Sequence, residues 1–232
     1  MRKITFLVSL CIAILLSGCT FNQQLDKTIQ ASQVPVEPGD KMKVHFINVG
    51  QGDSILVQSP NGKNLLVDGG TKDAGKDVVN YLRKHGVEKL DYVVATHPDA
   101  DHIGGLHSVL NSISIKNFVD SGKTHTSQTY EEMLQLILDK NIPFIVPKTG
   151  DTIPLDEELD ISVIHMGDKS ADNNEASIVL KLSYGETSFL LMGDADIRVE
   201  KDILEETNVK ATVLKAGHHG SGTSSSQDFI EA

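Results

Sequence analysis

The sequence predicts an α/β fold in which two sheets pack face to face with helices on both outer sides, a four-layered αββα sandwich. Three observations carry that expectation. Short apolar runs bounded by Gly, Asn and Asp outnumber helical stretches, the helical stretches arrive singly between groups of strands, and no internal repeat divides the chain. With 232 residues, 39% of them hydrophobic, the chain is long enough for one substantial domain with a well-buried core.

The first segment stands apart from that globule. Met1-Arg2-Lys3 gives a positive start, Ile4 to Leu16 an apolar run too short to favour a spanning helix, and Ser17-Gly18 small residues before Cys19. Residues 1–18 are therefore expected to be a cleaved signal peptide. "LSGC" resembles the lipobox of bacterial lipoproteins, which implies lipidation of Cys19 and an extracytoplasmic domain anchored to the cell membrane. Residues 19–41 are polar, contain Pro35 and Pro38 and show no period, as a tether would. The domain is expected over 42–232.

Cys11 lies in the leader, so the exported part has no cysteine available for disulfides or thiolate metal sites. Any metal there must be held by His, Asp, Glu or Asn. Losing Arg2 and Lys3 with the leader, and no acids, takes the formal charge from −11 to −13. Such an acidic globule is a poor general binder of polyanions, because phosphate contact depends on Lys and Arg.

Within the domain, residues 43–49, 54–59 and 64–68 read as strands. Val78, Val79 and Leu82 share one face of a helix that stops at Gly86. Residues 90–97 form the next strand, 103–111 a helix and 116–120 a strand. Thr129 and Glu132 have capping-box spacing for a helix over 129–141. Strands follow at 143–147, 160–166, 176–185 and 187–194, the last two joined by Gly185-Glu186. Asp196 is expected to cap a helix ending at Glu206, and a strand from Ala211 opens into "HHGSGTSSS".

Acidic and histidine side chains recur where these strands end. Asp68 closes "NLLVDGG"; His97, Asp99, Asp101 and His102 follow "DYVVAT"; Asp194 and Asp196 follow "TSFLLMG"; His218 and His219 follow "ATVLKAG". Strand ends are rigid, and the small residues beside them let backbone approach a ligand closely. Four such ends could gather about six N and O donors. A hydrolytic metal centre wants that set: neutral imidazoles, ionised carboxylates and a group able to bridge two ions about 3.5–4 Å apart.

"LLVDGG", "THPDADHIGG", "FLLMGDAD" and "LKAGHHGS" together resemble the motifs of the metallo-β-lactamase superfamily. With "INVGQGDSILV" and "NNEASIVL" they are most similar to the ComEC-type competence hydrolase domain and its stand-alone relatives, over residues 43–225. The resemblance implies two divalent ions, Zn²⁺ or Mn²⁺. One would be held by His97 and Asp99, the other by Asp101, His102 and a histidine of the pair, with Asp194 bridging. His219 is favoured as that ligand and His218 as a proton donor or phosphate contact. Asp68 would orient ligands, and Asp68, Asp101 and His218 form the expected catalytic group. Asp99 stands where the family usually has a second His, and Asn174 where many members have a further one. The first site is thereby richer in hard oxygen donors, which favours Mn²⁺.

His45, His85, His107, His125 and His165 are read as surface or core residues. The Ser221–Ser226 run is either a flexible loop or a phosphate cradle made of amides and hydroxyls. Lys215 could assist such a cradle or be an exposed strand-end lysine. Relatives usually continue past a point equivalent to Ala232 through another strand and helix, so either the chain is a natural truncation or the sequence is incomplete. Three functions follow: a phosphodiesterase or nuclease acting on DNA or a similar phosphodiester; a hydrolase of another small ester, phosphocholine ester or lactam; or a non-catalytic surface lipoprotein.

Overall fold

The structure is a computed structural model that describes residues 41–168 and 172–232. The expected leader, lipidation at Cys19 and the tether up to Asp40 lie outside the described residues. Among the described residues, no helix is long and apolar enough to cross a membrane.

One sheet begins as an antiparallel meander of β1 (Lys43–Phe46), β2 (Ile55–Gln58) and β3 (Asn64–Val67). It continues in parallel through β5 (Tyr92–Ala95), β7 (Phe118–Asp120) and β8 (Phe144–Ile145), in the order β1-β2-β3-β5-β7-β8. Helices α1 (Gly75–Lys84), α3 (Leu106–Ser112) and α4 (Gln128–Asp139) make the crossovers that parallel strands require. The second sheet runs β12 (Val213–Lys215), β11 (Thr187–Leu191), β10 (Val179–Tyr184), β9 (Asp160–His165). It carries α5 (Ile197–Glu206) and α6 (Gln227–Glu231). Two short strands, β4 (Lys89–Leu90) and β6 (Ser114–Ile115), pair separately.

Strand alternation sorts the side chains into three layers of core. Leu56, Leu66, Val93 and Phe118 face Val78, Leu82, Leu106 and Met133 of the helices. Their neighbours Val57, Leu65, Val67 and Val94 point the other way, against Val163, Ile178, Leu180 and Leu182 of the second sheet. Val179, Leu190 and Met192 then cover Val199 and Ile203 of α5. Strands buried on both faces explain why "SILV", "NLLV" and "DYVVA" read as continuous apolar runs. The αββα sandwich is the observed architecture.

Some boundaries differ from expectation. Helix α4 is capped by Ser127, whose side chain accepts from Tyr130 N–H at 3.3 Å, so Thr129 lies inside the first turn and the capping-box spacing is coincidental. The helix expected over 103–111 is split by Gly104-Gly105 into α2 (Ala100–Ile103) and α3, which puts Asp101 and His102 on a helical turn of their own. Gly105 is needed there. A Cβ on it would lie 1.9 Å from the Gly69 carbonyl oxygen, so only glycine lets the two turns touch. The Gly185-Glu186 hairpin is as expected, with Tyr184 opposite Thr187.

Candidate metal centre

The four strand ends singled out above do meet. Asp68 is the hub. It adopts φ 58, a left-handed conformation costing roughly 1–3 kcal/mol for a residue with a side chain, and its surroundings hold it there. Its carboxylate accepts from Thr96 N–H at 2.9 Å and Thr96 Oγ1–H at 2.7 Å, and lies 2.8 Å from His102 Nδ1. An ionised carboxylate only accepts, so His102 Nδ1 carries the proton and Nε2 faces inward. The Thr96 hydroxyl, having given its hydrogen to Asp68, accepts from His97 Nδ1 at 3.1 Å. One buried carboxylate thus orients both histidines, one directly and one through a hydroxyl.

The inward atoms crowd together. His102 Nε2 lies 3.1 Å from Asp194 Oδ1 and 3.3 Å from His219 Nε2. His219 Nε2 is 3.3 Å from both Asp101 Oδ2 and Asp194 Oδ2. His97 Nε2 sits 3.5 Å from Asp99 Oδ2 and 3.8 Å from Asp194 Oδ2. Asp194 therefore stands between the His97–Asp99 group and the His102–Asp101–His219 group. His218 is at the rim, its Nε2 4.0 Å from Asp194 and its Nδ1 2.9 Å from Thr223 Oγ1.

The electrostatics are those of a site short of positive charge. Burial alone would lower the His102 pKa, but the Asp68 and Asp194 carboxylates outweigh it and raise the value to about 11. Burial pushes the Asp194 carboxyl up, and the surrounding His102, His97 and His219 hold it well below the usual range. The nearby His97 imidazole lowers the Asp99 pKa against the opposing effect of burial. Of the five buried side-chain atoms without a hydrogen-bond partner among the described residues, two lie here, His97 Nε2 and Asp194 Oδ1; the latter faces His102 Nε2, a bare lone pair when Nδ1 holds the ring's proton. Buried polar atoms are almost always paired, so a lone pair and a carboxylate oxygen left bare within one cluster fit a cation.

Several contributors were not legible beforehand. Asp53, from the "GQGD" turn between β1 and β2, sits behind His219, its Oδ1 3.4 Å from Nδ1. It groups with His102, Asp194 and His219 as a set able to hold a metal ion. Lys215 is not an exposed strand-end residue: its side chain is 13% exposed, and Nζ lies 2.5 Å from Asp53 Oδ2. In the same turn Gln51 donates to Asp101 Oδ2 at 3.3 Å. Asn173, rather than Asn174, serves the centre directly, donating to Asp99 Oδ1 at 2.6 Å. Asn174 lies 3.5 Å from His218 Nδ1.

The Ser221–Ser226 segment is neither free nor a ready cradle. The amides of Ser225 and Ser226 donate to Glu200, a carboxylate 1% exposed on α5, and Ser224 Oγ donates to Gly217 O at 2.6 Å. With its amides spent this way, the loop is tied to α5 and holds His218 and His219 at φ 44 and 54. Asp196 caps α5 as expected, accepting from Arg198 N–H at 2.8 Å.

The family model described as "Metallo-beta-lactamase superfamily" matches residues 47–232. This chain belongs to that superfamily. ComE operon protein 3 of Bacillus subtilis is 29% identical over 208 residues, covering 82% of this chain and 27% of the relative. Competence protein ComA of Neisseria gonorrhoeae is 30% identical over 200 residues, covering 84% and 26%. Ribonuclease Z of Aeropyrum pernix is 28% identical over 161 residues, covering 68% and 49%. The chain spans about a quarter of the length of the two competence proteins. It is a hydrolase of the metallo-β-lactamase type, a fold that typically binds divalent metals, and it carries a His and Asp cluster able to hold one.

Proposed function

We propose that this chain is a metal-dependent phosphodiesterase working outside the cytoplasmic membrane, to which lipid on Cys19 tethers it. The single observation that carries the metal dependence is the pair of unpartnered buried atoms, His97 Nε2 and Asp194 Oδ1, within a cluster of converging His and Asp side chains. His97 and Asp99 would hold one cation, Asp101, His102 and His219 the other, and Asp194 would serve both. When bound, two such cations supply an acidified water as nucleophile near neutral pH and stabilise charge on phosphorus.

The chain's own residues do the rest. Asp68 and Thr96 fix which nitrogen each histidine turns inward. Asn173 pins one oxygen of Asp99 and leaves the other free. His218, at the rim with Nδ1 on Thr223, would hand a proton to the departing oxygen. Oxygen donors make up much of this set, which favours Mn²⁺ at least as well as Zn²⁺. Phosphodiester as substrate class is supported by the competence relatives and by a relative named as a ribonuclease.

The charge of the site narrows the substrate further. Lys215 is committed to Asp53, and Arg198 to Asp172 and Asp196, so neither offers a free cation to a long polyanion. Short phosphodiesters or strand ends suit so acidic a site better than an extended duplex. The deciding assay compares a chromogenic phosphodiester, single-stranded DNA and a lactam, each with Mn²⁺ or Zn²⁺. Phosphodiester turnover that disappears in Asp101→Ala is the expected result. Lactam turnover alone, or silence on every substrate, would overturn it.

A further inference from the structure

Each histidine of the centre turns one nitrogen inward, and what stands behind the other nitrogen differs. Behind His102 is Asp68, 2.8 Å from Nδ1, both side chains fully buried. Behind His219 is Asp53, 3.4 Å from Nδ1. Behind His97 there are only hydroxyls, Thr96 Oγ1 at 3.1 Å and Ser177 Oγ at 3.4 Å. Among the described residues, the carboxylates within ion-pair distance of His97 are Asp99 and Asp194, and both face Nε2.

A carboxylate behind a metal-binding histidine strengthens the lone pair on the far nitrogen as well as fixing the tautomer; a hydroxyl mainly fixes it. Partners of this kind are worth about 10–100-fold in metal affinity. Asp99 and Asp101 do not separate the two positions, since each is about a third exposed and accepts from one amide, Asn173 or Gln51. The anchoring of Asp53 points the same way as the partners behind the histidines. Asp53 is locked in place: it is 8% exposed, Lys215 holds its other oxygen, and Gly70 N–H donates to its carbonyl at 2.8 Å. Its neighbour Gly52, at φ +104, lets the turn press on the helix carrying Asp101, since a Cβ there would fall 1.9 Å from the Asp101 carbonyl oxygen.

We infer that the two cation positions are unequal and fill in order. The position bounded by Asp101, His102 and His219 is occupied first and tightly, with Asp53 as a positioning residue behind His219. The position bounded by His97 and Asp99 is occupied second, weakly and exchangeably. This rests on the two-cation reading above and adds an order to it.

The test is a titration of the full chain, stripped of metal, with Mn²⁺ against a competing chelator. Bound metal is counted by mass spectrometry and its environment followed by electron paramagnetic resonance. Two resolved steps are expected, the second at least about tenfold weaker. Asp53→Asn combined with Lys215→Met, which removes the buried carboxylate without stranding an ammonium, should weaken the first step about 10–100-fold and leave the second. Asn173→Ala should alter the second step alone. Two equal steps, or a double variant that acts only on the second, would overturn the inference. Ordered binding by a chain that cleaves no phosphodiester would leave it standing and remove the substrate assignment instead.

Discussion

Two acidic clusters begin two residues apart, at Asp194 and Asp196, and they settle their charge in opposite ways. Around Asp196, the carboxylates of Asp172 and Glu175 close on the guanidinium of Arg198, which reaches Asp172 at 2.8 Å and Asp196 at 2.6 Å. The cluster supplies its own cation and lies exposed, and those carboxylates raise the Arg198 pKa further. Its work is to cap α5 and hold the turn that carries Asn173. Around Asp194 the positive partners are imidazoles, the carboxylates are mostly buried, and two buried atoms are left unpaired. Acidic residues alone therefore say little. Burial, imidazole nitrogens and unpaired atoms together mark the cluster that needs a metal.

The largest effect should come from removing the group shared by both halves of the centre. Asp194→Ala is expected to cost more than the 10–100-fold typical of an outlying partner in metal affinity, and to abolish turnover. Chelator competition on the purified variant checks this; unchanged affinity would make the two clusters equivalent after all.

Asp68→Asn comes next. An amide has one acceptor oxygen where the carboxylate has two, so either Thr96 or His102 Nδ1 is left facing an amide N–H. Metal affinity should fall by about 10–100-fold, read by the same competition assay.

Protons sharpen the comparison at an intermediate size. Without a cation, His102 keeps its proton, its pKa raised from 6.5 to about 11 by Asp68 and Asp194 against the effect of burial. A raised pKa contributes stability that is full below about 6.5 and fades as pH climbs toward 11. Melting of the chelated chain should therefore weaken progressively above neutrality. The metal-loaded chain should not show that decline, because a cation on Nε2 replaces the proton. Thermal melts with and without chelator, across pH 7 to about 10, measure it.

Arg198→Ala should have the smallest effect. Its ion pairs are exposed, and such pairs hold little net free energy. Metal affinity at the first step should stay within about twofold. A drop comparable with that of Asp68→Asn would mean that the exposed cluster governs the buried one.

Most of this architecture was legible because its determinants are local. Each buried strand declares itself as an apolar run, and Asp68, His97, Asp99, Asp101, His102, Asp194, His218 and His219 each follow such a run directly. What escaped notice depends on contacts between distant segments. Asp53 sits in a two-glycine turn that reads as a hairpin connection, and only the fold brings it across 166 residues of sequence to His219. Glu200 lies on the face of α5 where a carboxylate looks like ordinary surface, until Ser225 and Ser226 fold back onto it. Asn173 and Asn174 are adjacent and chemically identical, so sequence alone could not say which reaches Asp99. Ser127 outcompetes Thr129 as the cap because the chain enters α4 two residues earlier than the spacing suggested.

The central claim is that this buried histidine and carboxylate cluster is built around cations. Metal counted on the full chain after equilibrium with Mn²⁺ or Zn²⁺ tests it most directly, with Asp194→Ala alongside. Two cations on the unaltered chain and at most one on the variant are the expected result. A chain that retains none, or a variant that retains as many, would contradict it.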